Sequence, residues 1–385
     1  MTETWPAMPE GSRLALREIL IHGVLSRAEI ARSLGLSRAS LTRAMRTLVS
    51  HRMVVEVGTD VRGATGRPSE LLQTSSGVWE FLGVKLTKDR LYAAVTDLGG
   101  RVLALHEEAI ASPSPEDLAD QVSAVADRLR AVHPALCAVG VSLPGDVVVR
   151  DGVSVVAASQ FLGWRDVPFA GMVAERSGLT VFTANDVHAL TAKEHWLGAG
   201  AGRRSMVLVT VGEGIGLGLI ASGEVSTGEH GRLGRIGHLS VLGGGPDCGI
   251  GHAGCASSYL PSPVIVRNAG HEGRSYDEVV ELARSGDERA LAAFADAGRA
   301  LGVVLASAVL IVDPSAIVLT GDGLPVYDIA RSSVDEALRG ALAPYTEPVT
   351  IEVQPFEFSE WARAGAVLAI RRLLGEESGR LSYTR

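Results

Sequence analysis

Short apolar runs that stop at glycine-containing loops recur along this chain, and they constrain its fold more than any other feature. Residues 137–143, 206–211 and 316–320 are such runs. Apolar runs of this length, bounded by turn residues, indicate buried β-strands. The second run is followed by alternating glycines over 212–218. Such a loop either cradles a phosphate or allows close packing of strands.

The part of the chain that follows residue 77 has two halves, and each begins with a predicted meander of β-strands. In the first half the strands lie at 81–84, 91–95 and 101–105, and in the second half the meander begins at residue 206. A meander followed by crossover helices in each half predicts two related lobes with a cleft between them. A helix over 362–374 closes the chain.

Length and composition exclude several other classes of protein. The chain has 385 residues, 46% hydrophobic and 21% charged, which fits two or three globular domains and excludes disorder, collagen and coiled coil. The apolar run 300–312 is shorter than the roughly 20 residues that span a bilayer, and residues 1–12 do not read as a secretion signal. Three cysteines cannot form a disulfide framework, so we expect a reduced, cytoplasmic protein without a membrane partner.

Charge separates the N-terminal segment from the rest. Residues 1–68 contain ten arginines, no lysine and six acidic residues, so they carry +4, while the remainder of the −8 chain carries −12. A basic N-terminal segment on an acidic body is typical of a DNA-reading module attached to a sensing or enzymatic body. A merely basic surface is the alternative.

The basic segment has the start and stop signals of three helices. Apolar positions recur at helical spacing over 11–22. Ser26 and Glu29 have the spacing of a capping box at the start of a second helix over 27–33. Gly35 allows a tight turn, and Ser37 caps a third helix that ends near Val49. This order predicts a helix-turn-helix.

The third helix has two different faces. Leu41, Ala44, Met45 and Leu48 share one face and are expected to pack inward. The other face carries small residues and arginines, which suit a major groove because arginine reaches guanine edges and phosphates. A solvated helix face in a helical bundle is the alternative. The predicted DNA contacts on this helix are Arg38, Ser40, Thr42, Arg43 and Arg46.

A predicted hairpin follows the third helix. Strand patterns at 53–57 and 70–73 flank the glycine-rich segment 63–68. Directly after a helix-turn-helix, such a hairpin indicates the wing of a winged helix. Arg67 at the tip of this wing is predicted to enter a minor groove, where narrow A·T tracts attract guanidinium groups.

The order of these pieces resembles the ROK family of sugar kinases and sugar-responsive repressors, and an appended winged helix marks the repressor branch. The matching pieces are Gly66-Arg67-Pro68, Leu143-Pro144-Gly145, Ala184-Asn185-Asp186, the alternating glycines 212–218, Gly234-x-x-Gly237-His238, a Cys-bearing loop and Ile317-Val318-Leu319-x-Gly321. The resemblance implies an α+β winged helix-turn-helix followed by an α/β, two-lobed, actin-like or ribonuclease-H-like ATPase-type body. The expected parts are a flexible tail (1–10), the winged helix (11–74), a first lobe (78–198) on which a C-terminal helix (360–376) packs back, and a second lobe (199–355) with a degenerate zinc loop (238–255).

The first strand turn departs from the family's kinases. There the resemblance implies an aspartate and two glycines that organise the metal-nucleotide and let backbone amides approach phosphate. This chain has Lys85, Thr87 and Lys88 at those positions. These replacements together argue against phosphoryl transfer, so we expect no enzymatic activity and no ATP.

The predicted ligand site keeps only part of the family pattern. Asn185 and Asp186 match the family's sugar-contacting pair, although both residues also suit a helix N-cap. Arg235 and Ser257 replace two family carboxylates, and His238 remains. Arginine suits an anionic ligand such as a sugar phosphate or sugar acid. Loss of sugar binding is the alternative.

The metal site is also incomplete. The resemblance implies zinc bound by one histidine and three cysteines. Here His238, Cys248 and Cys255 match, while Ile250 occupies the middle cysteine position. Structural zinc normally takes four ligands, and His252 could supply the fourth. A loop without metal, or two free thiols, is the alternative.

We therefore predict a DNA-binding transcriptional regulator, a repressor of carbohydrate-related or other metabolic genes. It is expected to bind double-stranded operator DNA as a homodimer or tetramer and to sense a sugar or sugar phosphate. Two alternatives remain from other classes. One is a sugar kinase that uses Asp186 as base, and the other is a ligand-independent regulator whose body only dimerises.

Overall fold

The computed structural model describes residues 4–60, 69–150, 153–344 and 346–375. The chain divides into two compact units, which are Met1–Gly202 with Phe358–Arg385 and Arg203–Glu357. Each unit contains its own five-stranded sheet. Apolar side chains are buried within each unit.

The N-terminal part of the first unit combines helices with a small antiparallel sheet of order β1-β3-β2. Its elements are α1 (Glu10–His22), β1 (Leu25–Ser26), α2 (Arg27–Leu34), α3 (Arg38–Ser50), β2 (Val54–Asp60) and β3 (Ser69–Thr74). The predicted capping box is confirmed, because Ser26 and Glu29 each bond the other's backbone N–H. Gly35 ends α2 at φ +62°, a left-handed conformation that glycine adopts without steric cost.

The first ten residues do not form only a tail. The Trp5 ring makes edge contacts with Trp79 and Phe81 at centroid distances of 5.2 and 5.7 Å, and α1 already begins at Glu10. The flexible tail predicted for 1–10 is therefore corrected for residues 4–10. A single tryptophan outside any periodic pattern gives no sequence signal, although burying its ring removes a large apolar surface from water.

The body of the first unit is a mixed sheet of order β11-β7-β4-β5-β6. Strands β4, β5 and β6 form the predicted antiparallel meander, while β7 and β11 continue in parallel from β4. The elements are β4 (Glu80–Leu86), β5 (Arg90–Asp97), β6 (Val102–Ala109), α4 (Pro115–Val132), β7 (Leu136–Leu143), β8 (Asp146–Arg150), β9 (Val153–Ser159), β10 (Trp164–Val167), α5 (Phe169–Ser177), β11 (Thr180–Asn185) and α6 (Asp186–Leu197).

The last helix among the described residues, α12 (Phe358–Leu373), lies directly against this sheet. A Cβ atom on Gly83 would lie 1.8 Å from the Ala362 carbonyl oxygen, and one on Gly140 would lie 1.9 Å from that of Gly365. The two glycines therefore allow the helix backbone to contact the strands. A predicted helix over 362–374 is confirmed, with its start four residues earlier.

One apolar core joins the N-terminal helices to the body of the first unit. Leu16 of α1 and Met45 of α3 belong to the same buried cluster as Trp79, Trp196 and Ile370. The indole N–H of Trp79 also donates to the His51 carbonyl oxygen at 2.9 Å. The N-terminal helices, including α3, are thus packed onto the body of the first unit.

The second unit has a sheet of order β14-β13-β12-β15-β16. Its elements are β12 (Met206–Val211), β13 (Ile215–Ala221), β14 (Glu224–Ser226), a 3-10 turn (Ala256–Ser258), α7 (Ser262–Asn268), α8 (Tyr276–Arg284), α9 (Glu288–Val312), β15 (Ala316–Thr320), α10 (Pro325–Ile329), α11 (Arg331–Ala341) and β16 (Thr350–Val353). The apolar run 300–312 is the second half of α9, which among the described residues is long and apolar enough to cross a membrane. More than half of its side chains are buried in the core of this unit.

The two sheets share one order. Each runs from the third meander strand through the second to the first and then to two parallel strands, β7 and β11 in the first unit and β15 and β16 in the second. The prediction of an α/β body built from two related halves is therefore confirmed at the level of topology.

Candidate functional site

The third helix buries one face and exposes the other. The predicted inward residues Leu41, Ala44, Met45 and Leu48 are buried. The Ser12 hydroxyl of α1 donates to the Ala44 carbonyl oxygen at 3.3 Å, which fixes α3 against α1. The helix therefore keeps a defined outer surface.

The predicted DNA-contacting residues lie along that outer surface. Arg38, Thr42, Arg43 and Arg46 are exposed, whereas Ser40 is half-buried with its hydroxyl 3.0 Å from that of the N-cap Ser37. Arg67, predicted for the tip of the wing, lies outside the described residues. Arginine guanidinium groups on an exposed helix face are free to approach phosphates or base edges.

Arg27 connects the second helix to the hairpin of β2 and β3. Its guanidinium group binds Glu56 at 2.9 Å and Glu70 at 2.6 Å. Because all three side chains are partly or largely exposed, each pair contributes little to stability. Two simultaneous partners on neighbouring strands nevertheless orient the hairpin relative to α2.

In the first unit, Asn185 and Asp186 stand where β11 ends and α6 begins. The Asn185 side-chain oxygen accepts from the His188 N–H at 3.1 Å, and its amide nitrogen donates to the Gly145 carbonyl oxygen at 2.9 Å. Asn185 is thus the N-cap that the sequence offered as an alternative to sugar contact. Both polar ends of its side chain have partners within the protein.

Asp186 is the first residue of α6 and is likewise engaged. Its Oδ1 accepts from the Val187 N–H at 2.9 Å, and its Oδ2 accepts from Lys85 Nζ. Only 8% of Asp186 and 5% of Lys85 are exposed. A carboxylate at a helix N-terminus is stabilised by the helix dipole, and the lysine adds a buried counter-ion. The sequence motifs included Lys85 in the first strand turn and Asp186 in the predicted sugar-contacting pair, but they did not predict that the two residues form an ion pair.

Lys85 lies on β4 and its ammonium group also faces an aromatic ring. Nζ is 4.7 Å from the centroid of Trp361 on α12, a distance at which the ring attracts a cation. Thr87 and Lys88, which stand where the family's kinases have glycines, form the turn that follows β4. Thr87 is half-buried and Lys88 exposed, and the Thr87 hydroxyl donates to the Arg90 carbonyl oxygen at 3.0 Å.

A second buried lysine belongs to a network that sequence reasoning missed. Lys193 Nζ lies 2.6 Å from Glu194 Oε1 and 2.5 Å from Glu360 Oε2, and Arg363 also binds Glu360. Burial raises the pKa of Glu360, but Lys193 and Arg363 outweigh burial, so its pKa lies below the ordinary value. Glu194 and Glu360 are 166 positions apart, and no local pattern links them.

The other predicted ligand residues belong to the second unit. Arg235 and His238 are exposed, and Ser257 is half-buried. The Ser257 N–H donates to the Gly237 carbonyl oxygen at 2.7 Å, which places Ser257 beside the 234–238 motif. Its hydroxyl is buried without a hydrogen-bond partner among the described residues. Such an atom favours a polar ligand or a water at this position.

Four potential metal ligands converge in the second unit. Single ligand atoms from His238, Cys248, His252 and Cys255 all lie within 4.8 Å of one another. The Cys248 N–H donates to the His252 carbonyl oxygen at 2.8 Å, so the loop closes on itself. Burial raises the pKa of Cys248, but backbone N–H groups at Ile250 and His252 outweigh it and lower that pKa below the usual value. His252 therefore joins the three predicted ligands, while Ile250 is exposed.

This donor set fits zinc. Two thiolates and two imidazoles form one of the ligand sets that hold structural zinc in a tetrahedron. Tetrahedral Zn–S and Zn–N bonds place ligand atoms about 3–4 Å apart, so small side-chain adjustments suffice. The chemistry such an ion would supply here is structural, because four protein ligands leave no open position.

The ROK family pattern matches residues 81–366 of this chain. The xylose repressor of Bacillus spizizenii is 24% identical over 338 residues, which cover 86% of this chain and 87% of the repressor. Among solved structures, a ROK family transcriptional regulator described as a homologue of the E. coli MLC protein superposes with a TM-score of 0.81. It is 24% identical and covers 95% of this chain and 97% of its own.

A kinase structure is similar to the body. The ROK family glucokinase from Streptomyces griseus, in complex with glucose and AMPPNP, superposes with a TM-score of 0.65. It is 27% identical and covers 75% of this chain and 99% of its own. The xylose repressor thus matches 86% of the chain and the regulator structure 95%, whereas the kinase structure matches 75%. With a family match over most of its length, the chain belongs to the ROK family.

Proposed function

We propose that this protein is a sequence-specific DNA-binding transcriptional regulator, and specifically a repressor. The observation that carries the proposal is the exposed arginine face of α3, on helices that are packed onto a ROK body. The similarity of nearly the whole chain to a xylose repressor supports it. Repression of carbohydrate-related genes, in the cytoplasm, follows from the same similarity.

In this proposal the N-terminal segment is a winged helix. Helix α3 enters the major groove, where Arg38, Ser40, Thr42, Arg43 and Arg46 contact bases and phosphates. The hairpin of β2 and β3 is the wing, and Arg67 at its tip enters the minor groove. Two copies in a homodimer read a pseudo-palindromic operator.

DNA selection tests this function. Genomic fragments retained by the purified protein at moderate salt are sequenced, and we expect one or a few pseudo-palindromic sites. The double variant Arg43→Ala/Arg46→Ala should bind the recovered site about tenfold more weakly or worse, since one base-reading arginine supplies about 1–3 kcal/mol. Arg165→Ala, which removes one exposed arginine on β10, is the control for an arginine outside α3. Retention without sequence enrichment would contradict the proposal.

The effector is a sugar or sugar phosphate in this proposal. The candidate contacts are Asn185 and Asp186 in the first unit and, as a separate set, Arg235, His238 and Ser257 in the second. The unpartnered Ser257 hydroxyl and the positive charge of Arg235 support a ligand with polar and anionic groups. A ligand that binds one conformation better than another would shift operator affinity by that difference.

Zinc has a structural role in this proposal, held by His238, Cys248, His252 and Cys255. We expect a stoichiometric amount of zinc in the purified protein by elemental analysis. His252→Ala should lower that amount, whereas His230→Ala should not, because His230 is exposed outside the cluster. Equal zinc content in the two variants would remove His252 from the ligand set.

A sugar kinase is the second candidate, favoured by the 27% identity to a ROK glucokinase and by the presence of Asp186. Against it, the Asp186 carboxylate already accepts from Lys85, so it is a poor base toward a sugar hydroxyl. Transfer of phosphate from ATP to a panel of hexoses decides between the candidates. We expect no turnover.

A further inference from the structure

The ammonium group of Lys85 lies beside Asp186 at the end of β11, and not all of its N–H donors have a partner among the described residues. An ammonium group has three N–H donors. One is taken by Asp186 Oδ2, and the Trp361 ring covers the group at 4.7 Å. Among the described residues Asp186 is the hydrogen-bond partner of Nζ. The remaining donors therefore favour an acceptor supplied from outside the protein, because buried donors are costly when unpaired.

The acceptor oxygens at the same place each already accept one hydrogen bond from within the protein. Asp186 Oδ1 accepts from Val187 and Oδ2 from Lys85, while the Asn185 side-chain oxygen accepts from His188. A neutral sugar presents hydroxyl groups, which commonly donate hydrogen bonds to carboxylate oxygens of the protein. Here each of those oxygens already accepts one internal hydrogen bond and keeps its second lone pair for a further donor. A neutral hydroxyl can therefore bond to this pair, but only an anion brings a negative charge to the remaining N–H donors of the Lys85 ammonium group.

We propose that Lys85 determines the ligand class of this site, so that it takes a sugar bearing an anionic group, a carboxylate or a phosphate, in preference to the neutral parent sugar. The inference rests on the proposed effector role of Asn185 and Asp186. The ligand anion accepts from the free N–H donors of Lys85, and such charge-assisted bonds are the stronger ones. Asp186 remains the counter-ion that holds the ammonium group in place.

Matched ligand pairs test the inference. Calorimetric binding of glucose, glucuronate and glucose 6-phosphate to the full chain compares one sugar skeleton with and without a charge, and further hexuronates and hexose phosphates extend the panel with their neutral parents. We expect an anion to bind at least about tenfold more tightly than its parent, since a bond to a charged group contributes that much. The carboxylate and phosphate arms distinguish the two sources of charge.

Variants assign the preference to Lys85. Lys85→Met should lose the anion preference, and Lys85→Arg should retain it. Lys88→Met removes an exposed lysine from the same hairpin and should change nothing. Because Lys85→Met leaves a buried carboxylate unpaired, Lys85→Met/Asp186→Asn provides a second variant without the lone charge, and it too should bind anion and parent alike.

The outcomes separate this inference from the proposed function. Binding of a neutral sugar as tightly as its anion overturns the inference and leaves an effector role standing. No binding by any sugar or anion overturns both the inference and the effector role. Operator binding, measured on the same samples without ligand, reports independently on the regulator. An unchanged anion preference in Lys85→Met would also overturn the inference.

Discussion

The first hairpins of the two sheets hold equivalent places in the two units, yet their ends differ chemically. The β4–β5 turn is polar, and the side chain of Lys85 just before it reaches Asp186. The β12–β13 turn instead contains glycine. A Cβ atom on Gly212 would lie 1.6 Å from Asp322 Oδ1, and the Gly212 N–H donates to the Gly214 carbonyl oxygen at 3.0 Å.

The two sheets therefore share a strand order, while the residues at the ends of their first hairpins differ in chemistry. One strand order is compatible with a lysine that fills the end of the first hairpin and with a glycine that leaves room for Asp322 in the second. Gly212 thus has a packing reason inside its own unit. Of the two readings that the alternating glycines allowed, close packing accounts for Gly212 without a phosphate.

The largest expected effect comes from breaking the ion pair of the first hairpin. Lys85→Met leaves the Asp186 carboxylate buried without its counter-ion, which should lower the free energy of unfolding by about 3–5 kcal/mol. Urea unfolding followed by tryptophan fluorescence measures this in the first unit alone, because that unit contains all five tryptophans: Trp5, Trp79, Trp164, Trp196 and Trp361. The midpoint should fall without a change in slope.

The double variant Lys85→Met/Asp186→Asn sharpens the result. Removing both charges should recover most of the lost stability, since replacing a buried pair costs far less than breaking it. A double variant as unstable as Lys85→Met would mean that the aliphatic stem of Lys85, rather than its charge, supports the strand end.

Local sequence patterns predicted most of the elements, while the site depended on contacts that they do not encode. The capping box at Ser26 and Glu29 could be predicted because its two partners are three residues apart. The pairing of Lys85 with Asp186 spans 101 positions and exists only once β4 and β11 lie in one sheet. The fourth residue of the metal cluster, His252, was foreseeable because it sits two residues from the missing cysteine.

A smaller effect is expected from the glycine beneath α12. Gly83→Ala places a Cβ atom against the Ala362 backbone oxygen, which cannot rotate away. Overpacking of this kind should cost about 1–3 kcal/mol in the first unit. Tryptophan fluorescence should therefore show a lower urea midpoint for Gly83→Ala. In Gly212→Ala the contact is with a side chain of the second unit, so the tryptophan-detected midpoint should stay unchanged.

Gly171→Ala is the matched control for these two substitutions. Gly171 lies in α5 with no atom within 4 Å of the added Cβ, so alanine should slightly stabilise the first unit through its higher helix propensity. If Gly83→Ala behaved like Gly171→Ala, α12 would have to lie farther from the strand than the structure places it.

The smallest effect concerns the turn that distinguishes the first hairpin from the second. The Thr87 hydroxyl donates to the Arg90 carbonyl oxygen and accepts from the Arg90 N–H, both at 3.0 Å. Thr87→Val keeps the shape and removes these two bonds together with the 3.1 Å contact between the hydroxyl and Asp89 Oδ1. Because the turn is largely exposed and water can replace the threonine, we expect a loss of about 1 kcal/mol by the same unfolding measurement. Thr87→Ser, which keeps the hydroxyl, should recover most of it. Equal midpoints for valine and serine would show that the backbone bond from the Thr87 N–H to Arg90 closes the turn alone.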